Sequence, residues 1–175
     1  RDAQESRGLG DVYKRQEESI LHMMVSNKLK SCTISIPNPI GDSESINLSI
    51  KLAHNTKNSV SLVNGTPFIS SVVKINAKIE SATQKSSYGN SSYYSKENIQ
   101  LIEESCNQYL KKALNDYLYK TAKEYNCDID GFGKYAVKYF PTIKDWQDYN
   151  WLDNFQNSTF NVNVETTIKS GNTFL

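Results

Sequence analysis

Arginine vanishes from this chain after residue 15. Arg1, Arg7 and Arg15 all precede Gln16, and lysine alone carries positive side-chain charge beyond it. Net charge is scarce too: 20 Lys+Arg against 19 Asp+Glu leave +1, so nothing electrostatic favours nucleic acid or an anionic membrane surface as a partner. Cys32, Cys106 and Cys127 are odd in number and far apart, which excludes a readable disulfide framework or a CxxC metal site and leaves three semi-buried thiols. With His22 and His54 as the only histidines, a cysteine and histidine zinc set is not expected either. No run approaches the roughly 20 apolar residues of a membrane-spanning helix. Residues 1–16 lack the apolar middle of a secretory signal. The pair Gly131 and Gly133 is too sparse for a phosphate cradle, and no Gly-x-Ser-x-Gly elbow occurs. His54 reads as an exposed strand-end histidine.

What is present is a 175-residue chain, 38% hydrophobic, long enough for one domain with a proper core. Setting aside residues 1–16, with four basic groups (Arg1, Arg7, Lys14, Arg15) and three acidic ones (Asp2, Glu5, Asp11), leaves 16 of each sign, a formally neutral body. That body is rich in Lys, Asn, Ile and Tyr, whereas the stretch 7–16 resembles translated sequencing-adaptor read-through. Residues 1–16 are therefore expected to be a non-native leader, and 17–175 a single domain truncated on its N-terminal side.

Ile20, Leu21, Met24, Val25 and Leu29 share one helical face over 17–30. Period-two runs follow at Cys32, Ile34, Ile36, at Ile46, Leu48, Ile50, Leu52, and at Ile69, Val73, Ile75, Ala77, Ile79. They read as half-buried strands. Asn64-Gly65 signals a tight hairpin between Val60–Val63 and the strand starting near Phe68. Residues 81–95 read as a polar loop. Ser95 is a candidate N-cap for an amphipathic helix of about thirty residues, roughly 45 Å long at the helical rise. Tyr135, Val137, Tyr139 and Phe140 suggest a second, short helix stopped before Pro141, and Trp146, Trp151 and Phe155 a third helical segment. Phe160, Val162, Val164, Thr166 and Ile168 alternate in a closing strand. The expected class is α+β: an antiparallel sheet of about four to five strands packed by one long amphipathic helix and two or three shorter ones.

The sharpest chemical pattern is Asn126-Cys-Asp128-Ile-Asp130-Gly131, the first half of an EF-hand calcium loop. The second half fails: Val137 occupies the place of the bidentate glutamate, and Lys134 that of the ninth ligand. Asp128 or Asp130 capping a helix that begins near Phe132, with Gly131 in a backbone conformation closed to other residues, is the simpler reading. Glu103-Glu104, and Asp145 with Asp148, read as solvated charge faces. Trp146, Trp151 and Phe155 read as core and rim packing, and Tyr88, Tyr93 and Tyr94 as a weak candidate contact surface.

The order of several strings carries a resemblance. Asp128-Ile-Asp-Gly-Phe-Gly133 follows a long Lys/Glu helix and precedes Tyr-Phe-Pro141. Asn150-Trp151 comes next, with Phe155 four residues on, then Phe-Asn-Val-Asn-Val-Glu165 and Gly171. Upstream lie Lys-Ser-Cys-Thr-Ile-Ser-Ile-Pro37 and Val-Asn-Gly-Thr-Pro-Phe68. Together these resemble the C-terminal domain of the Ger(x)C (GerAC-like) spore germination protein family, over nearly all of 17–175. The match departs at Asp130, where the family often has an aromatic or aliphatic residue, and the spacing of Trp146 to Trp151 is short for it.

The resemblance implies a non-enzymatic subunit domain of a spore nutrient germinant receptor, without cofactor. It would act through an integral A-type and a membrane B-type subunit, on the outer face of the inner spore membrane. There the full-length lipoprotein would be held by a lipid anchor in a missing N-terminal part. Asp128, Gly131, Phe132, Gly133, Trp151 and Phe155 match the family motif, and the role expected of them is architectural. The alternative is a stand-alone extracytoplasmic ligand-binding module of α+β fold. A hydrolase would require His54 beside an acid and a serine.

Overall fold

The computed structural model describes residues 16–41, 44–82 and 93–169, with 81–82 described in backbone only. Residues 1–15, Tyr88 with most of the polar loop, and Gly171 lie outside the described residues, whereas Gln16, expected to end the leader, is the first residue of a helix. The first helix, α1, covers 16–25. It ends earlier than its apolar pattern suggests because Asn27 turns into the left-handed region (φ 63°) and sends the chain toward the sheet. Leu29 nevertheless stays buried.

Four strands follow: β1 (Cys32–Pro37), β2 (Ser45–Leu52), β3 (Lys57–Val63) and β4 (Thr66–Ala82). Asn64 and Gly65, at φ 52° and 80°, form the two-residue turn that pairs Val63 with Thr66. In β4 the odd positions from Ile69 to Ile79 are buried and the even ones only partly so, the one-sided pattern that the alternation implies. The long helix α2 spans Lys96–Lys123, about 42 Å at 1.5 Å per residue. The Ser95 hydroxyl accepts from the Asn98 amide at its start, and Ile102, Cys106, Leu110, Leu114 and Leu118 form its buried stripe. Three short helices come next: α3 (Gly133–Ala136, extended by a 3-10 turn at Val137–Tyr139), α4 (Ile143–Tyr149) and α5 (Trp151–Phe155). β5 (Thr159–Ile168) closes the fold.

Val72 is paired with both Lys57 and Asn163, and Ile75 with both Leu52 and Thr166. A residue has two strand neighbours at most, so β2 and β3 lie end to end along one side of β4 while β5 lies along the other. β1 flanks β2. β5 runs parallel to β4, whereas every other pair is antiparallel. The architecture is α+β as the pattern implied, and the sheet is mixed where antiparallel pairing was expected. The reason is the crossover: β5 returns after four helices, and only a connection of that length can deliver a strand in parallel. One core lies between the sheet and the helices, with Met24, Ile36, Ile46, Leu48, Ile50, Ile75, Leu110, Leu114, Phe132 and Phe155 fully enclosed. Among the described residues no helix is long and apolar enough to cross a membrane.

Candidate functional site

α2 stops where Asn126 enters the left-handed region (φ 44°) and the Cys127 amide turns back to the Thr121 carbonyl. That turn delivers Asp128 to the N-terminus of α3. Its Oδ1 accepts from the Phe132 amide at 2.8 Å, and its Oδ2 from the Gly133 amide at 2.7 Å and the Trp151 indole N–H at 2.8 Å. A carboxylate at a helix start satisfies orphan donors and meets the positive end of the helix dipole. Gly131 lies between them at φ 72°, reached without steric cost by glycine. Gly133 is required for a different reason, since a Cβ there would lie 3.0 Å from Trp151 Nε1 and 3.3 Å from Asp128 Oδ2.

Asp130 takes no part in this cap. It is buried and turned toward α1 and α2, where His22 and Tyr117 meet it. The half-EF-hand string therefore sends its two aspartates in different directions. Among the described residues no three His, Cys, Asp or Glu side chains group so that they could hold a metal ion.

Phe132 and Phe155 are fully buried, with ring centroids 6.4 Å apart, and Phe160 of β5 lies 6.0 Å from Phe155. Trp151 continues this wall outward, tilted against Phe155 at 5.7 Å and stacked on Trp146 at 5.8 Å. Trp146 belongs to a separate helix from Trp151 and Phe155. Asn150 (φ 48°) breaks the single segment that the spacing suggested into α4 and α5, and the break lets the two indoles stack. α4 opens with a reciprocal capping box, Thr142 and Asp145 each bonding the other's backbone N–H, so Asp145 is committed to a cap, while Asp148 is exposed. The Tyr139 and Tyr149 hydroxyls donate to the carbonyls of Val60 and Gly65, tying these helices to β3 and its hairpin. Burial raises the Tyr149 phenol above its ordinary value.

Asp128, Phe132, Gly133 and Trp151 thus meet at one carboxylate, with Gly131 in the turn between them and Phe155 packed on the rings of Phe132 and Trp151. Other candidates are dispersed. His54 is exposed after β2. Of the tyrosine cluster, Tyr94 is exposed, but Tyr93 belongs to the core, its hydroxyl accepting from Asn38; its apolar ring outweighed the polar neighbourhood from which exposure was inferred. Glu103 is likewise no solvated charge, because it accepts from the Ile168 amide of β5 at 2.8 Å. Cys106 is buried and Cys32 half-buried, and desolvation pushes each thiol up to about 11; Cys127 is exposed, contrary to its reading as semi-buried, because it sits in the turn after α2. A groove of about 360 Å³ runs between α1, β1 and α2, lined by Ile20, Leu21, Ile34, Tyr109 and Leu110.

Fold and site define a two-layer α+β domain organised around an aspartate-anchored aromatic wall. The chain belongs to the family described as spore germination B3/GerAC like, C-terminal, whose model matches residues 13–171. The crystal structure of the GerBC protein shares the fold, with a TM-score of 0.67 at 15% identity over 87% of this chain and 45% of that one. The chain therefore corresponds to less than half of that protein's length. No curated protein matches the sequence.

Proposed function

We propose that this domain is a non-enzymatic part of a spore germinant receptor subunit, working through contacts with A- and B-type subunits at the outer face of the inner spore membrane. The observation that carries this reading is the family match across residues 13–171. The site geometry supports it: the motif carboxylate has its oxygens occupied by backbone and indole donors, so it serves to hold helices in place. We assign the six motif residues an architectural role on the same ground. A lipid anchor elsewhere in the subunit would attach the domain to the membrane. The test is to delete the domain from the tagged full-length subunit in spores. Loss of A- and B-type subunits from the purified complex, together with loss of nutrient response, is the expected result; unchanged co-purification and germination would reject the reading.

A second reading, a ligand-binding module, rests on the apolar groove between α1, β1 and α2. It predicts a different outcome of the same deletion, a subunit that still assembles but no longer responds to nutrient.

A further inference from the structure

Asp130 lies two residues from the anchoring carboxylate and serves another purpose. Its side chain is 2% exposed. Oδ1 is 2.9 Å from His22 Nδ1, Oδ2 accepts from the Tyr117 hydroxyl at 3.1 Å, and that hydroxyl lies 3.4 Å from the same Nδ1. One carboxyl thereby joins α1, α2 and the loop that carries the aromatic anchor. At this position an apolar residue would fill the space without any charge to satisfy.

Two kinds of bond hold α1. Its C-terminal half is fixed by core residues Met24 and Val25, whose carbonyls accept from Thr56 and Asn58. The rest of the helix is tied by polar bonds: Glu17 to Tyr109 of α2 at 2.7 Å, Glu18 to Lys120 of α2 at 2.6 Å, and His22 to Asp130 of the following loop. The first two face solvent or are only partly covered, and exposed ion pairs contribute little. The third is buried on its carboxyl side, where an uncompensated charge is costly.

We propose that His22, Asp130 and Tyr117 form a proton-dependent latch that fastens α1 to the Asp128 loop and to α2, engaged while the Asp130 carboxyl holds its proton and loosened when that proton leaves. With the proton present the buried carboxyl carries no charge, and it keeps its bonds to His22 and Tyr117. Once it is gone, a buried carboxylate remains, and burying that charge is costly. Among the described residues no neighbouring cation takes over. Lys120 on α2 is bonded to Glu18 of α1, Asp128 in the loop adds a second negative charge, and Cys127 and Tyr117 supply none that is positive.

Burial raises Asp130 above its ordinary 3.8; the bonds from His22 and Tyr117 oppose the rise, and Asp128 adds to it. For an acid raised in the folded state, the stabilising contribution is complete below about pH 4 and is lost as pH climbs through the folded value. α1 is therefore held more firmly in acid than in base.

The experiment is amide hydrogen exchange of α1 amides 20–25 from pH 5 to 8.5, corrected for intrinsic exchange, in the parent protein and its variants. Alongside it, carbon-detected NMR follows the Asp130 carboxyl. In the parent protein, α1 protection should fall as pH rises, by roughly tenfold for each unit by which the folded value of the carboxyl exceeds the starting pH. Asp130→Asn, which keeps a neutral donor and acceptor in place, should make that protection independent of pH. Asp130→Leu should do the same and covers the case in which the amide variant fails to fold. Tyr117→Phe removes a bond that favours the carboxylate, so it should move the transition to higher pH. A carboxyl that titrates near its ordinary value in the parent protein, or an unchanged pH profile in either Asp130 variant, would overturn the latch.

Discussion

Three donors converge on the two oxygens of Asp128: two backbone amides at the start of α3 and an indole from α5. Hydrogen bonds to a charged acceptor each contribute more than neutral ones, and their loss leaves partly buried donors unpaired. Asp128→Ala should therefore cost about 3 kcal/mol, read as a lowered urea midpoint, with a red shift in the emission of Trp151. The flanking glycines separate two physical causes. Gly131→Ala meets open space but is strained by φ 72°, a penalty of about 1–2 kcal/mol that leaves the indole where it is. Gly133→Ala has an allowed backbone but a Cβ 3.0 Å from the rigid Trp151 ring, an overpacking cost of about 1–3 kcal/mol that must displace it. Comparable loss of stability with a fluorescence change only in Gly133→Ala is the expected outcome; identical spectra for the two variants would contradict it. The bonds to Phe132 and Gly133 were legible in the sequence because they lie within five residues of Asp128. The bond to Trp151 spans 23 residues and that from Asp130 to His22 spans 108, distances over which no local pattern speaks.

Among the elements, β5 poses the problem of a sheet edge. A bare edge invites pairing with another chain, and proteins cover it. Here α2 does so, since Asn107 Oδ1 accepts from the Thr166 amide and Glu103 Oε1 from the Ile168 amide, both at 2.8 Å. These caps place polar side chains on the inward side of an otherwise amphipathic helix, which is why the acidic pair at 103–104 read as solvent-facing. Replacing both Glu103 and Asn107 by alanine should uncover the edge. The expected result is concentration-dependent association by light scattering, with helix content by circular dichroism unchanged; a variant that stays monomeric as the parent does would show that the caps do not protect the edge. The strands and α2 were readable from their periods. The break at Asn150 was not, because Trp146, Trp151 and Phe155 keep near-helical steps across it.

In the whole molecule, stability should concentrate along β4. It pairs with β5 on one side and with β2 and β3 on the other, and its odd residues face the core from Ile69 to Ile79. Such one-sided alternation was visible in the sequence, but the double flanking depends on the parallel return of β5, a consequence of the α2–α5 crossover rather than of any strand's own pattern. α4 lies at the opposite extreme: none of its residues is buried, and it is attached through the half-buried rings of Trp146 and Tyr149 and the Tyr149 hydroxyl on Gly65. Segments with few buried apolar contacts open locally, whereas amides in a doubly paired core strand exchange only when the domain unfolds. Native-state hydrogen exchange should therefore place β4 amides 69–77 at the full unfolding free energy, of the order of 5–15 kcal/mol for a domain, and sensitive to denaturant. The amides of Trp146 and Asn150, bonded to Thr142 and Gln147, should exchange several kcal/mol below that with little denaturant dependence. Equal protection in α4 and β4 would mean that the aromatic contacts bind α4 into the same cooperative unit, and that the wall from Phe140 to Phe160 belongs to the core throughout.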